Sequence, residues 1–174
     1  MSKIYDNIGD NTFLDGLHGI VCAQGVVRAD FCVGYFNLRG WRSIANEVNG
    51  LVGAEVKERV FSGGKDQWCD VGRKCRLLIG MYRPMHDVIH EMYAVNVQKV
   101  DDERAKSWKR SVCADFRRQL TIGVPTKEDE SALRMLRNQL ANGIVAVKLH
   151  LRFPLHAKLY LAHRPGDQIG RAHV

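Results

Sequence analysis

Residues 29–41 have the sequence ADFCVGYFNLRGW, in which an apolar run leads into a turn and a tryptophan. The first eight of these residues contain one charge and three aromatic side chains. This pattern predicts a strand that is buried on both faces. From Trp41 the apolar residues return at helical spacing, until Gly50 and Gly53 end the pattern. A strand, a tight turn and a helix predict the opening half of a βαβ unit.

The rest of the chain alternates apolar segments with amphipathic ones. Its predicted elements are a loop at 60–72, a strand at 75–81, one or two basic amphipathic helices over 86–120, a helix from Pro125 to Gly143, and strands at 144–151, 156–161 and 169–174. Thr126 and Asp129 fit a capping box at the start of the helix that Gly143 ends. The predicted buried stripe of that helix comprises Leu133, Leu136 and Leu140. The alternation predicts an α/β sandwich, with helices around a mostly parallel central sheet and antiparallel strands near the C-terminus.

The composition is that of one domain of ordinary size. The 174 residues are 45% hydrophobic and 26% charged, a balance typical of soluble globular proteins. No apolar run approaches the roughly 20 residues that cross a bilayer, and the first ten residues lack the apolar segment of a signal peptide. We therefore expect a single cytoplasmic domain over residues 1–174, outside the membrane and without an internal repeat or linker.

The five cysteines are scattered, and no two of them form a CxxC pair. They are Cys22, Cys32, Cys69, Cys75 and Cys113. A disulfide framework or a structural zinc site would require tighter spacing, so neither is expected. Cys32 lies within an apolar strand and Cys113 on a helical face, and both are predicted to be small core residues.

The segment HAKLYL, residues 156–161, places three polar side chains on one face of a predicted strand. These are His156, Lys158 and Tyr160, because the side chains of a strand alternate between its faces. Residues two apart lie roughly 6.5–7 Å from each other, so an imidazole and an ammonium can converge on one phosphate. The ammonium would stabilise the phosphate charge, and the imidazole could attack phosphorus or deliver a proton. The alternative is an ordinary strand whose polar residues face solvent.

The same segment resembles the signature of the phospholipase D superfamily, HxK with an acidic residue after four further positions, as found in its nuclease-like members. His156, Lys158 and the apolar and aromatic residues between and after them match this signature. Residues 29–41 resemble the first strand and turn of the family, and residues 75–81 its second strand. The similarity covers most of the chain, with 84–122 as a helical insertion. More narrowly, the arrangement is similar to the phospholipase D-like domain at the N-terminus of some bacterial superfamily-two helicases.

The chain departs from the family pattern at two places. His163 occupies the acidic position after Lys158, so the stabilising carboxylate of the motif is missing. Residues 169–174 are similar to the strand that leads, in this family, into a Gly-Ser-x-Asn segment, which the sequence does not reach. We therefore expect the chain to be the N-terminal piece of a larger protein, a piece that can be inactive even where the whole protein is an enzyme.

The resemblance also implies a homodimer. The family requires two HxK motifs in each active site, and this chain has one, since residues 150–152 read HLR. Two copies of His156 would then meet across a two-fold axis. One would form a phosphohistidine, and the other would protonate the leaving oxygen.

The charge of the chain favours a polyanionic partner. Its formal net charge is +7, and Arg110, Arg117 and Arg118 lie on the predicted helical segment 86–120. Apolar residues recur there every four positions, at Trp108, Val112, Phe116 and Leu120. The basic residues on the other faces are candidates for nucleic-acid contacts, with DNA as the expected polymer. A merely solvated face is the alternative.

Two further motifs suggest cofactors without meeting their requirements. His86 and His90 are four apart on a predicted helix and could bind zinc, but no third ligand is evident and Asp87 stands where a metalloprotease has glutamate. The segment 63–65, GGK, lacks the spacing of a phosphate-binding loop. We therefore expect no cofactor or metal here, with ATP and magnesium needed only by a helicase region elsewhere in the parent protein.

Three functions follow from these features. The first is a metal-independent phosphodiesterase of nuclease type, acting on nucleic acid through His156 and Lys158. The second is a catalytically silent DNA-binding or dimerisation module attached to a helicase, which the missing carboxylate favours. The third is a lipid phosphodiesterase.

Overall fold

The computed structural model describes residues 12–62, 65–80, 102–121, 126–150 and 155–166. The helices are α1 (Phe13–Val21), α2 (Leu38–Arg42), α3 (Ala45–Gly50), α4 (Asp102–Thr121) and α5 (Lys127–Ala141). The strands are β1 (Arg28–Val33), β2 (Ala54–Ser62), β3 (Lys65–Arg73), β4 (Cys75–Ile79), β5 (Val145–Leu149) and β6 (Lys158–His163).

Four of the strands form a mixed sheet in the order β5-β4-β1-β6. Strands β1, β4 and β5 are parallel, and β6 runs antiparallel to β1 at one edge. The prediction of an α/β fold with a mostly parallel sheet and an antiparallel strand near the C-terminus is therefore confirmed. Because β1 and β4 are neighbours, the predicted βαβ unit is also present, although its crossover carries a hairpin as well as helices.

One face of this sheet forms the core. The register aligns Phe31 of β1 with Leu77 of β4 on one side and with Tyr160 of β6 on the other. Leu17, Trp41, Val48 and Leu136 from four of the helices pack in the same cluster of buried residues. Burial of each large apolar side chain contributes about 1.5–3 kcal/mol, so this cluster provides much of the stability of the domain.

The opposite face of the sheet is more polar than the sequence predicts. Strand β1 places Asp30 and Cys32 there, and both are half-buried. The prediction that β1 is buried equally on both faces is therefore wrong for this side. The sequence signal for this more polar face is Asp30, a charged residue within an otherwise apolar run.

The helix predicted after the turn is divided into two short helices. Asn37 caps α2, since its Oδ1 accepts a hydrogen bond of 2.8 Å from the backbone N–H of Arg39. At Ile44 the backbone has φ −132°, outside the helical region, and α3 then begins at Ala45. The break lets Trp41 and Val48 both face the core.

The prediction of a loop at 60–72 is wrong for the described residues of this range, because 60–62 belong to β2 and 65–72 to β3. Strands β2 and β3 pair antiparallel over their whole length, with Val56 opposite Val71 and Arg59 opposite Trp68. Most side chains of β3 are exposed, Trp68 with 72% of its surface. Sequence patterning detects strands through the apolar face that they bury, and this hairpin buries too little to give that signal.

Helix α5 begins with the predicted capping box. The hydroxyl of Thr126 accepts from the Asp129 backbone N–H at 3.2 Å, and the Asp129 carboxylate accepts from the Thr126 N–H at 3.2 Å. Leu136 is buried as predicted, but Leu140 is exposed and Gln139 takes the buried position. Gly143, with φ +68°, follows the helix end.

Helix α4 confirms part of the predicted segment 86–120. Trp108 and Val112 are buried, as their spacing predicts. Cys113 is exposed, so its predicted role as a core residue is wrong. Residues 86–101, and with them His86 and His90, lie outside the described residues. Within the described ranges, no helix has the length and apolar character needed to cross a membrane.

Candidate functional site

The segment 155–157 runs along the carboxyl ends of the two central parallel strands. The backbone N–H of Leu155 donates a hydrogen bond of 3.0 Å to the carbonyl of Gly80, directly after β4. The N–H of Gly34, directly after β1, donates a bond of 2.8 Å to the carbonyl of Ala157. His156 lies between these two anchors, and its side chain is exposed. In open α/β sheets this carboxyl edge is where ligands bind.

Gly80 permits the close approach of the two segments. A Cβ atom at this position would overlap the carbonyl oxygen of Leu155 and would lie 2.6 Å from its Cβ. Any larger residue must therefore displace the segment that carries His156. In the sequence Gly80 is only a glycine near the end of a strand, so its positioning role was not predicted.

Lys158 is the first residue of β6 and pairs with Val33, the last residue of β1. It is exposed, and it lies on the same strand face as Tyr160, as predicted. The predicted strand, however, begins two residues too early, because His156 precedes β6. Lys158 is thus the first residue of the strand, and His156 lies two residues before the strand begins.

Tyr160 belongs to the core and not to the exposed site. Its ring centroid lies 4.9 Å from that of Phe13 and 5.3 Å from that of Phe31. Burial raises the pKa of the Tyr160 phenol above its ordinary value. The face shared with Lys158 therefore changes from exposed to packed within two residues.

An aromatic cavity opens beside this carboxyl edge. It has a volume of about 350 Å³, and Phe13, Tyr35, Phe36 and Tyr160 are among its lining residues. Tyr35 is 68% exposed and follows β1 by two positions. The prediction that Tyr35 lies inside a buried strand is therefore wrong, because β1 ends at Val33.

His163, the residue at the acidic position of the motif, is buried on the other face of the sheet. Its Nε2 lies 2.9 Å from Oδ2 of Asp30 on the neighbouring strand β1. Burial lowers the pKa of the His163 imidazole below its ordinary value, although the charge of Asp30 acts in the opposite direction. A carboxylate is therefore adjacent to this position, supplied by β1 and not by β6.

Asp30 is the centre of a small charge cluster. Its Oδ2 lies 3.0 Å from Arg28 and 2.5 Å from Arg76, and its Oδ1 lies 3.0 Å from Nε of Arg76. Burial acts to raise the pKa of the Asp30 carboxyl, but the hydrogen bonds and charges of Arg76 and Arg28 outweigh it and lower that pKa. The carboxylate is thereby kept ionised within the sheet.

A second ionic contact links the hairpin to the sheet. The buried carboxylate of Glu58 on β2 lies 3.1 Å from Arg73 on β3 and 3.7 Å from Lys148 on β5. Arg73 also donates to the carbonyl of Gly143. These contacts join residues up to 90 positions apart in the chain, and spacing in the sequence gives no indication of them.

The three candidate nucleic-acid-binding arginines are exposed on α4. Arg110 and Arg117 are seven positions apart and therefore share one side of the helix. Arg118 lies 3.8 Å from Asp115, one turn away. Their role remains a prediction, and their exposure is compatible with either a polyanion contact or a solvated face.

The chemistry available at the carboxyl edge is that of an imidazole and an ammonium. Among the described residues no group of three or more histidine, cysteine or acidic side chains could hold a metal ion. All five cysteines are free, and burial raises the pKa of the thiols of Cys32 and Cys75.

Comparisons with family models, with curated proteins and with solved structures yield no match for this chain.

Proposed function

We propose that this chain is a phospholipase D-like phosphodiesterase domain that cleaves nucleic acid without a metal ion. The observation that carries the proposal is the exposed pair His156 and Lys158 at the carboxyl ends of β1 and β4. Backbone hydrogen bonds on both sides of His156 hold the segment at this edge. Ligands of open α/β sheets bind there, and both side chains are of the kinds that phosphoryl transfer requires.

Each proposed residue has one role. The imidazole nitrogen of His156 forms a bond to phosphorus as the bond from phosphorus to the leaving oxygen breaks. Lys158 stabilises the negative charge on the other phosphate oxygens. Water then gives a proton to a second base, bonds to phosphorus and releases His156, so no metal-bound hydroxide is needed.

The second acid and base is supplied by another copy of the chain. His156 of the partner subunit protonates the leaving oxygen in the first step and accepts the proton of water in the second. This arrangement gives each active site two HxK motifs from chains that carry one each. Light scattering should therefore report a dimer, and a strictly monomeric protein would lack the second acid and contradict this mechanism.

Nucleic acid is the proposed substrate because the chain is strongly basic. The formal net charge of +7 favours a polyanion, and Arg110 and Arg117 present exposed guanidinium groups on α4. The resemblance to helicase-attached domains favours DNA. ATP and magnesium would then be used by the helicase region of the parent protein and not at His156.

The decisive experiment measures hydrolysis of bis(p-nitrophenyl) phosphate and of single-stranded DNA in excess chelator. The wild-type protein should be active, and His156→Ala should reduce kcat by at least about 100-fold, because general acid–base catalysis typically contributes 10²–10⁴-fold. Quenching the wild-type reaction with alkaline denaturant should trap a phosphohistidine that is stable in alkali, is lost on later acid treatment and cannot form in His156→Ala.

A matched control variant distinguishes a catalytic role of Lys158 from a general effect of losing one positive charge. Lys158→Ala should lower kcat, whereas Lys57→Ala, which removes an exposed lysine on the hairpin, should not. Activity that chelator abolishes and magnesium or zinc restores would contradict the mechanism.

A silent DNA-binding or dimerisation module is the second candidate. The observation that favours it is His163 at the position where the family motif has a carboxylate. In this case the protein should bind DNA and dimerise while showing no hydrolysis that depends on His156. We give the phosphodiesterase precedence because His156 and Lys158 are both exposed at the carboxyl edge of the sheet.

A further inference from the structure

Tyr35 lies next to the candidate phosphate site. Val33 pairs with Lys158, and the Gly34 N–H bonds to the carbonyl of Ala157. The paired register ends at Val33 and Lys158, and Tyr35 and His156 are the residues that follow Gly34 and precede Ala157. The backbone bond between Gly34 and Ala157 therefore holds the chain segments of Tyr35 and His156 at the same end of the strand pair.

The exposure of this ring is unusual for its surroundings. Tyr35 is 68% exposed, yet it also lines the aromatic cavity, in which Tyr160 is packed between Phe13 and Phe31. Trp41 also lines the cavity, but its ring cannot stack on a ligand because it is buried and its Nε1 donates a hydrogen bond of 3.2 Å to Gln139. Phe13 also lines this cavity and is 38% exposed, so Tyr35 is the most exposed of the aromatic residues that line it.

We propose that Tyr35 stacks on an unpaired nucleobase adjacent to the phosphate held by His156 and Lys158. The inference rests on the proposed function for the position of that phosphate. A base has a flat π face, and base–aromatic stacking requires that the base be unpaired and accessible. The site would therefore select single-stranded nucleic acid, or frayed ends and loops, over an intact duplex.

Stacking makes binding depend on an accessible base, which attraction between charges cannot do. Lys158 and the basic helix α4 attract any polyanion, whether duplex, single strand or acidic lipid headgroup. A tyrosine ring instead contributes binding only where a base is present. The cavity beside it, at about 350 Å³, is within the size range of small-ligand sites and is large enough to receive part of the base.

The test compares two fluorescent oligonucleotides of equal length and charge, one of thymidines and one entirely abasic. Their binding to the protein is followed by fluorescence anisotropy in excess chelator at fixed ionic strength. Tyr35→Ala should weaken binding of the thymidine oligomer about 5- to 150-fold, because stacking energies of this size are typical for one base. It should leave binding of the abasic oligomer unchanged, and Tyr35→Phe should bind both oligomers as the wild type does.

Trp68→Ala is the matched control, since it removes an equally exposed aromatic ring from the separate hairpin sheet. It should affect neither oligomer. Unchanged melting temperatures of both variants would show that the fold is retained, as expected for exposed positions.

The outcomes distinguish this inference from the proposed function. If Tyr35→Ala binds both oligomers like the wild type while His156→Ala abolishes hydrolysis, stacking is wrong and the phosphodiesterase stands. A base-dependent loss in a protein without hydrolysis would support stacking and remove the catalytic proposal. Equal losses on both oligomers, or a wild-type protein that binds neither of them, would overturn stacking.

Discussion

Oδ2 of Asp30 lies 2.9 Å from Nε2 of His163, across the pair of strands β1 and β6. The contact joins the strand that opens the predicted βαβ unit to the edge strand that carries Lys158. Both side chains are largely buried, so their protonation is coupled to the folding of the sheet.

Stability should fall on acidification in two stages. Because burial lowers the pKa of His163 below 6.5 in the folded chain, the unfolded chain binds the proton more tightly, and stability is lost as the pH falls from about 6.5 through the folded pKa. Asp30 affects stability at lower pH. Its pKa in the folded chain is depressed below 3.8, so its contribution to stability is lost as the pH falls from about 3.8 through the folded pKa. Urea unfolding between pH 7.5 and 5 should show a weaker pH dependence in His163→Gln. An equal pH dependence in His163→Gln and in the wild type would contradict this coupling.

Asp30→Asn should strongly destabilise the domain. The substitution leaves Arg28, which is 8% exposed, as a buried cation without its carboxylate. Breaking a buried pair in this way costs about 3–5 kcal/mol. The control is Asp66→Asn, whose partner Arg59 lies 2.7 Å away on the exposed hairpin and which should cost about 1 kcal/mol or less. Equal free energies of unfolding for the two variants would contradict the assignment of a buried charge cluster.

Gln139→Ala should destabilise the junction of α2, α3 and α5. Gln139 is 1% exposed; its Oε1 accepts from Trp41 and its Nε2 donates 3.0 Å to the carbonyl of Ala45. Two buried polar groups lose their partner, at a cost of about 1–3 kcal/mol each. Thermal and urea unfolding measure the loss, and the exposed neighbour Asn138→Ala should change stability by less than about 0.5 kcal/mol. A loss no larger than that of Asn138→Ala would show that the network is not needed.

Gly80→Ala should impair activity more than binding. The added methyl group meets the backbone of Leu155 and must move the segment that presents His156. A displacement of about 1 Å can reduce catalysis about 100-fold while leaving distant phosphate contacts in place. The measurements are kcat on bis(p-nitrophenyl) phosphate and affinity for single-stranded DNA. Gly72→Ala on the hairpin, where a Cβ meets nothing within 4 Å, is the control, and similar kcat values for the two variants would contradict the positioning role.

Arg110→Ala and Arg117→Ala should each lower the salt dependence of DNA binding. Each phosphate contact with a single strand contributes about 0.7 to the slope of log K against log salt, so each variant should lose about that much. Anisotropy titrations at several salt concentrations provide the slope, with Lys57→Ala as the control at another exposed cation. Unchanged slopes would mean that α4 presents a solvated face and that the polyanion is bound elsewhere.

Short sequence patterns were sufficient to predict β1, the start of α5 and the candidate catalytic pair. The run 29–36 predicted β1, and Thr126 and Asp129 predicted the start of α5. The HxK spacing, together with the resemblance to the phospholipase D signature, identified His156 and Lys158 as the candidate catalytic pair. Apolar spacing succeeded for β1 and α5 because each of these segments buries a continuous face against the core. The same reasoning failed for 60–72, where a hairpin is held by its own ladder and exposes most of its side chains.

Only the tertiary structure decided which distant groups meet. Sequence spacing could not show that Asp30 contacts His163, that Gln139 joins Trp41 to Ala45, or that Gly80 admits the segment carrying His156. Each of these contacts joins residues far apart in the chain. The contacts of Asp30 and Gly80 depend on strand order and register, and those of Gln139 depend on how three helices pack together. The alternation of apolar residues specifies which face of a strand is buried, but not which strand lies beside it, because the same apolar face can pack in more than one strand order.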